Sequence, residues 1–298
     1  MSEDLQRTIA ALPCWSDRVD PRPLEGGITN FNFTVTDKGK TYLVRLGEDI
    51  PHHQIMRFNE VSASRAAFEA GISPEVVYAG QGALVIAFIE GKTLSKEDIQ
   101  KRQTLDRIIP VIKTCHTRVK DHLRGPVLAF WVFHVIRDYA HTLENGQSRR
   151  AQDLPRLLQA AEELEKTVSS IKLVFGHNDL LPENFIDDGD KIWLVDWEYG
   201  GFNSPLFDLG GVASNCELGS EDEEHLLESY YQARVSDELR NRYLAMKCAS
   251  LLRESMWSMV SELYSQIDFD YQAYTDSNLA HFDVQFKTFQ RTSSHGNR

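Results

Sequence analysis

Two periodicities divide the chain. From Gly26 to Glu90 the pattern is mostly strand: Phe31, Phe33 and Val35 alternate with polar residues before Asp37-Lys38-Gly39-Lys40, and Tyr42 to Leu46 follows, which reads as a hairpin. A helix is predicted between His53 and Ala70, ended by Gly71 in a C-cap position. Val76-Val77-Tyr78 and Ala83 to Ile89 then flank Gly80-Gln81-Gly82 as a second hairpin. A small antiparallel sheet with one helix is the expectation for this part.

Beyond Leu94 the period changes from two to about 3.6. Leu105, Ile108, Ile109, Ile112 and Val119 share a face, Ser95 with Asp98 forms a capping-box pattern, and Pro110 is expected to kink the helix. Further helical patterns run at Trp131 to Leu143, Leu154 to Val168, Glu221 to Gln232, Leu239 to Leu263 and Tyr271 to Phe289. One β-like island interrupts them: Leu173-Val174-Phe175 leads into Gly176-His177-Asn178-Asp179, and Asn184-Phe185-Ile186 pairs with Ile192 to Val195 across Asp187-Asp188-Gly189-Asp190. The fold class is therefore α+β, with a boundary near Glu90 to Leu94.

Composition narrows the chemistry only a little. The 298 residues carry 44 acidic and 32 basic side chains, and the formal charge of -12 disfavours nucleic acid and anionic membranes while attracting a cation. Four scattered cysteines, Cys14, Cys115, Cys216 and Cys248, form no C-x-x-C pair and suggest neither disulfides nor a zinc ribbon, which fits a reducing cytoplasm. The start Met1-Ser2-Glu3-Asp4 lacks a basic and apolar leader, and Ala83 to Ile89, the longest apolar stretch, falls short of the ~20 residues that span a bilayer.

The β-like island holds the densest polar signal, His177-Asn178-Asp179-Leu180-Leu181-Pro182-Glu183-Asn184, followed by Trp193-Leu194-Val195-Asp196-Trp197-Glu198. Phosphoryl transfer asks a protein to position the acceptor and to neutralise phosphate charge with Mg²⁺, for which hard oxygen ligands suit. In the kinase template a loop Asp accepts the hydroxyl proton, an Asn five residues on binds one magnesium, and a later Asp binds the metals bridging the phosphates. Asp179, Asn184 and Asp196 reproduce that order. Glu198 lies two residues past Asp196 and is a third metal candidate, because on an extended strand both side chains point to the same side.

The stretch Phe175 to Asn215 resembles the signature region of the choline/ethanolamine kinase branch of the aminoglycoside phosphotransferase-like superfamily. His-Asn-Asp-Leu-Leu-Pro-Glu-Asn, Val-Asp-Trp-Glu-Tyr and Phe202-Asn203-Ser204-Pro205-Leu206-Phe207-Asp208-Leu209 carry the likeness. The resemblance implies a protein-kinase-like bilobal fold with ATP in the cleft: residues 1–91 as a nucleotide-binding lobe with a hinge near 88–91, and residues 92–298 as a helical lobe with catalytic loop and acceptor pocket. It implies a phosphate-covering loop at Gly26, Gly27, Thr29 and Asn30. Arg45 stands as the phosphate-neutralising cation with Glu60 on the following helix to hold it, and Phe88, Ile89 and Glu90 resemble the hinge that meets adenine. Asp208 resembles the helical Asp that braces the catalytic loop, and His177 is read as orienting that loop.

For the acceptor, the resemblance places Trp257 and Tyr274 in a pocket for a cationic alcohol, with Glu254 where another pocket Trp would stand and Asn215 where an ammonium-binding Glu would stand. Glu254 and Trp257, at i and i+3, share a helix face, which favours ethanolamine or a related amino alcohol over choline. Kinases of thiamine, aminoglycosides, homoserine or methylthioribose share the fold, and a non-catalytic ATP-binding module is the alternative from another class. The adjacent His52 and His53 are read as an exposed loop.

Overall fold

The computed structural model describes residues 2–24, 31–80 and 82–295. Helix α1 (Ser2–Ala10) precedes β1 (Arg22–Leu24), β2 (Phe31–Asp37) and β3 (Lys40–Leu46); then come α2 (Arg57–Glu69), β4 (Val76–Gly80) and β5 (Ala83–Ala87). These strands form one antiparallel sheet in the order β1-β2-β3-β5-β4. The β2–β3 turn is the one the sequence predicts, with Lys38 and Gly39 both at positive φ, 49° and 76°, the twist that a two-residue hairpin loop needs. Ile9 and Leu12 of the N-terminal segment cover Phe33, Val35, Val44 and Val85, and so bury one face of the sheet.

Helix α2 starts at Arg57, four residues later than the hydrophobic pattern predicts. Pro51–His53 form a 3₁₀ turn, Gln54 adopts a left-handed φ of 59°, and Ile50 and Ile55 pair across the turn. This knot is driven into the helical half: Ile55 is fully buried there, Gln54 Nε2 donates to Asp138 Oδ2 at 2.8 Å, and His53 Nε2 meets Ser261 Oγ at 3.1 Å. The expected exposed loop at His52 and His53 is thus corrected, because His53 is 4% exposed and its ring stacks on Trp257.

After β5 the chain crosses over as Phe88 to Gly91 and continues as β6 (Lys92–Thr93), α3 (Lys96–Ile99) and α4 (Arg102–Thr114), whose helix passes through a π-helical turn at Cys115–Val119 into α5 (Lys120–His122). The helix continues through Pro110, and its irregularity falls at this π turn instead. The capping box at Ser95 and Asp98 forms with both reciprocal hydrogen bonds. Strand β6 pairs with a segment almost a hundred residues away, and a Cβ on Gly91 would stand 2.7 Å from the Asp187 carbonyl, so only glycine permits this approach.

Next come α6 (Val132–Asn145), α7 (Leu154–Val168), β7 (Val174–Gly176), β8 (Phe185–Asp187), β9 (Ile192–Leu194), β10 (Gly201–Asn203), α8 (Pro205–Asn215), α9 (Ser220–Tyr231), α10 (Asp237–Tyr264) and α11 (Tyr271–His295). The 28-residue α10 is the spine, packed against α6, α7, α8 and α11. The β8–β9 pairing is as the sequence predicts, whereas the β7–β10 and β6–β8 pairings are additions. Among the described residues no helix is long and apolar enough to cross a membrane.

Candidate active site

The catalytic-type loop runs from β7 through His177 and Asp179 to Asn184, and one buried carboxylate shapes it. Ser204 caps α8 by accepting from Leu206 N at 3.3 Å, with Pro205 as the first helical residue, which places Asp208 in the first turn. Asp208 accepts from His177 N at 2.8 Å and Asn178 N at 2.7 Å, and His116 Nε2 donates to it at 2.9 Å. Burial alone would raise Asp208, but His116 and these contacts hold it below the usual carboxylate range. His116 is presented by the π turn and bound from behind by Tyr230 Oη at 2.8 Å. Sequence reading missed His116; the π turn that aims it leaves no mark in the hydrophobic period.

Asn178 takes a left-handed φ of 65°, and its amide ties the loop to Tyr199 O at 2.9 Å and Gly201 O at 3.1 Å. His177 is fully buried, donates from Nε2 to Val195 O at 2.9 Å, and is pushed down by burial; the hydrogen bond ties the loop to the chain just ahead of Asp196. Asn184 Nδ2 donates to Asp179 O at 2.9 Å, which leaves its carbonyl oxygen as the hard donor.

Asp196 and Glu198 do converge, though not by the geometry inferred from spacing. Strand β9 ends at Leu194 and Asp196 sits at φ 70°, so the extended-strand reading is corrected; the two carboxylates meet because the chain turns around Arg45. Arg45 Nη1 lies 2.7 Å from Asp196 Oδ1, 2.7 Å from Glu60 Oε1 and 3.4 Å from Glu198 Oε1. One carboxylate oxygen from each of Glu60, Asp196 and Glu198 lies within 4.8 Å of the other two. Burial would lift Asp196, but Arg45 holds it low; Glu198 is lifted by burial and by Asp196 beside it.

Arg57, which the sequence reading passed over, joins this cluster by donating to Glu60 Oε2 at 2.7 Å and to Glu198 Oε1. Its position three residues before Glu60 on one helix face was the available signal. With both of its oxygens engaged by guanidinium groups, Glu60 is a clamp for cations of the chain. Asp196, Glu198 and the Asn184 carbonyl supply a hard-oxygen set whose chemistry fits magnesium.

A cleft of about 650 Å³ opens beside the loop. It is bordered by Asp179, Asn184, Asp196 and Glu198 at one end, and by Asn215, Glu254, Trp257 and Tyr274 at the other. Every metal and acceptor candidate from the sequence therefore reaches one cleft. Phe88, Ile89 and Glu90 do not border it; they form the crossing segment, where Phe88 N donates to Thr41 O at 3.1 Å. Gly26, Gly27, Thr29 and Asn30 lie outside the described residues.

At the acceptor end, Tyr274 Oη donates to Glu254 Oε1 at 2.9 Å, Trp257 Nε1 donates to Tyr199 Oη at 3.0 Å, and Asn215 Nδ2 donates to Leu180 O at 3.1 Å. Arg253, adjacent to Glu254 and also unforeseen, is buried with Nη1 3.0 Å from Glu254 Oε2 and 3.5 Å from Asp179 Oδ1. Asp179 is pushed up to about 8, chiefly by burial, against the pull of Arg253. A carboxylate of raised proton affinity, held at the mouth of a metal-type cluster, is suited to take a proton from an alcohol.

The model of the choline/ethanolamine kinase family matches residues 22–222. Protein LicA of Haemophilus influenzae is 29% identical over 210 residues, 69% of this chain and 61% of that protein. The probable ethanolamine kinase of Arabidopsis thaliana is 26% identical over 91% of this chain and 81% of its own length. Among solved structures, a choline/ethanolamine kinase family protein from Mesorhizobium loti superposes with a TM-score of 0.80 at 26% identity, covering 98% of this chain and 97% of that one. With a protein-kinase-like fold and a family match across two thirds of its length, the chain belongs to the choline/ethanolamine kinase family, whose members are small-molecule phosphotransferases.

Proposed function

We propose that the protein transfers the γ-phosphoryl group of ATP to the hydroxyl of a small amino alcohol. The observation that carries this reading is the single cleft with Asp179 and the hard-oxygen set at one end and the Glu254 carboxylate at the other. Asp179 orients the hydroxyl and accepts its proton; Asn184, Asp196 and Glu198 hold magnesium, which when bound neutralises phosphate charge. Arg45, held by Glu60, adds a cation on the nucleotide side, and Asp208 with His116 keeps the loop in register. Glu254, Tyr274, Trp257 and Asn215 receive the ammonium end.

Within this reading residues 1–91 form the nucleotide-binding lobe, with Gly26, Gly27, Thr29 and Asn30 over the phosphates and Phe88 to Glu90 at adenine. Residues 92–298 form the acceptor lobe, and the reaction takes place in the cytoplasm. The test is magnesium-dependent ADP release with ethanolamine, its methylated derivatives, choline, thiamine, homoserine, methylthioribose and aminoglycosides, beside Asp179→Asn. Turnover of an amino alcohol that is lost in the variant is the expected result; ATP binding without turnover of any alcohol would instead indicate a non-catalytic module.

A further inference from the structure

Two aromatic rings border the acceptor end, Tyr199 and Trp257, and groups of the chain itself already cover them. The Arg253 guanidinium carbon lies 4.2 Å from the Tyr199 ring centroid and 5.7 Å from that of Phe130. Arg253 Nε and Nη2 are buried and meet no hydrogen-bonding partner among the described residues, so the ring faces are what compensates those N–H groups. His53 stacks on Trp257 with centroids 5.1 Å apart and planes at 29°. Tyr199 and Trp257 are left only 6% and 4% exposed. Tyr274 packs edge-to-face with Phe269 and turns its hydroxyl to Glu254.

A quaternary ammonium cannot donate a hydrogen bond and needs open aromatic faces, whereas an ammonium that keeps an N–H needs a placed acceptor. The cleft supplies the acceptor. Glu254 is fixed at both oxygens, by Arg253 at 3.0 Å and Tyr274 at 2.9 Å, and each carboxylate oxygen retains a second lone-pair site. The same Arg253 nitrogen reaches Asp179, so one guanidinium sets the distance between the hydroxyl end and the ammonium end.

Building on the amino-alcohol kinase reading, we infer that Arg253 is a specificity-determining residue. It occupies the Tyr199 face and orients Glu254, and so commits the cleft to amino alcohols whose nitrogen bears an N–H while disfavouring quaternary ones. The experiment compares kcat/KM for ethanolamine, N-methylethanolamine, N,N-dimethylethanolamine and choline in the wild type and in Arg253→Met, a replacement of similar length without charge. In the wild type the last methylation, which removes the final N–H, is expected to lower kcat/KM by about tenfold or more. In Arg253→Met the choline to dimethylethanolamine ratio is expected to rise by at least about threefold, with ATP KM unchanged.

A smaller step in the wild type overturns the inference, as does an unmoved ratio in the variant, and both leave the amino-alcohol reading standing. No turnover of any of the four by the wild type overturns that reading itself. If Arg253→Met fails to fold by circular dichroism, the same ratio is read in Arg253→Gln, where an unmoved value overturns the inference.

Discussion

The two ends of the cleft are built in opposite ways. At the metal end, Arg45 and Arg57 are set among three carboxylates, each with one oxygen within 4.8 Å of the other two, and the groups come from β3, α2 and the turn after β9. At the acceptor end, one carboxylate, paired with the single guanidinium of Arg253, sits beside the rings of Trp257, Tyr274 and Tyr199, from α10, α11 and the segment after the metal turn. The first is organised by clustered, mutually neutralising charges and suits any nucleotide-dependent phosphoryl transfer; the second, with one ion pair set among rings, is organised mainly by shape and hydrogen bonding and suits one class of acceptor. Substitutions at the two ends should therefore separate in kinetics, the first in kcat and the second in acceptor KM.

The largest effect is expected from Asp179→Asn, which removes the proposed proton acceptor: kcat should fall about 10³-fold with both KM values little changed, measured by coupled ADP release. Asp208→Ala should come next. It removes the partner of two backbone N–H groups and of His116, so kcat should fall about 10²-fold as the loop shifts, and the melting temperature should drop, reflecting a loss of about 3 kcal/mol. A normal melting temperature with low kcat would place Asp208 in the chemistry itself.

Glu254→Gln should raise acceptor KM about tenfold to hundredfold while ATP KM stays put, since a charge-assisted hydrogen bond is lost. If kcat fell as much as in Asp179→Asn, the division between the ends would break. The smallest effect belongs to His53→Phe, which keeps a ring against Trp257 but loses the contact to Ser261: stability should fall by about 1 kcal/mol in urea unfolding, and acceptor KM should move less than about threefold.

What was legible in the sequence was local. Lys38-Gly39 fixes a turn, Ser95 and Asp98 fix a helix start, and Asp179 and Asn184 sit on one short loop whose spacing is itself the geometry. What was missed depends on partners far along the chain. The two- and three-residue strands β6 and β10 are too short to show a period and exist through long-range pairing. Arg253 sits one position from Glu254, yet its role depends on the Tyr199 ring, more than fifty residues earlier. The start of α2 was misplaced because Ile50 and Ile55 bridge and bury the preceding turn, a tertiary demand that overrode helix propensity.

That buried turn has a consequence for the pair of Arg45 and Glu60. Ile55, Gln54 and His53 root the base of α2 in the helical half, and Ala63, Ala66 and Ala67 bury its flank in the same core. Swinging the helix away to part Glu60 from Arg45 would strip apolar surface and strand a buried histidine, so the packing that roots α2 also holds the ion pair together. Parting the pair would therefore cost the packing at the base of α2 as well as the ion pair itself.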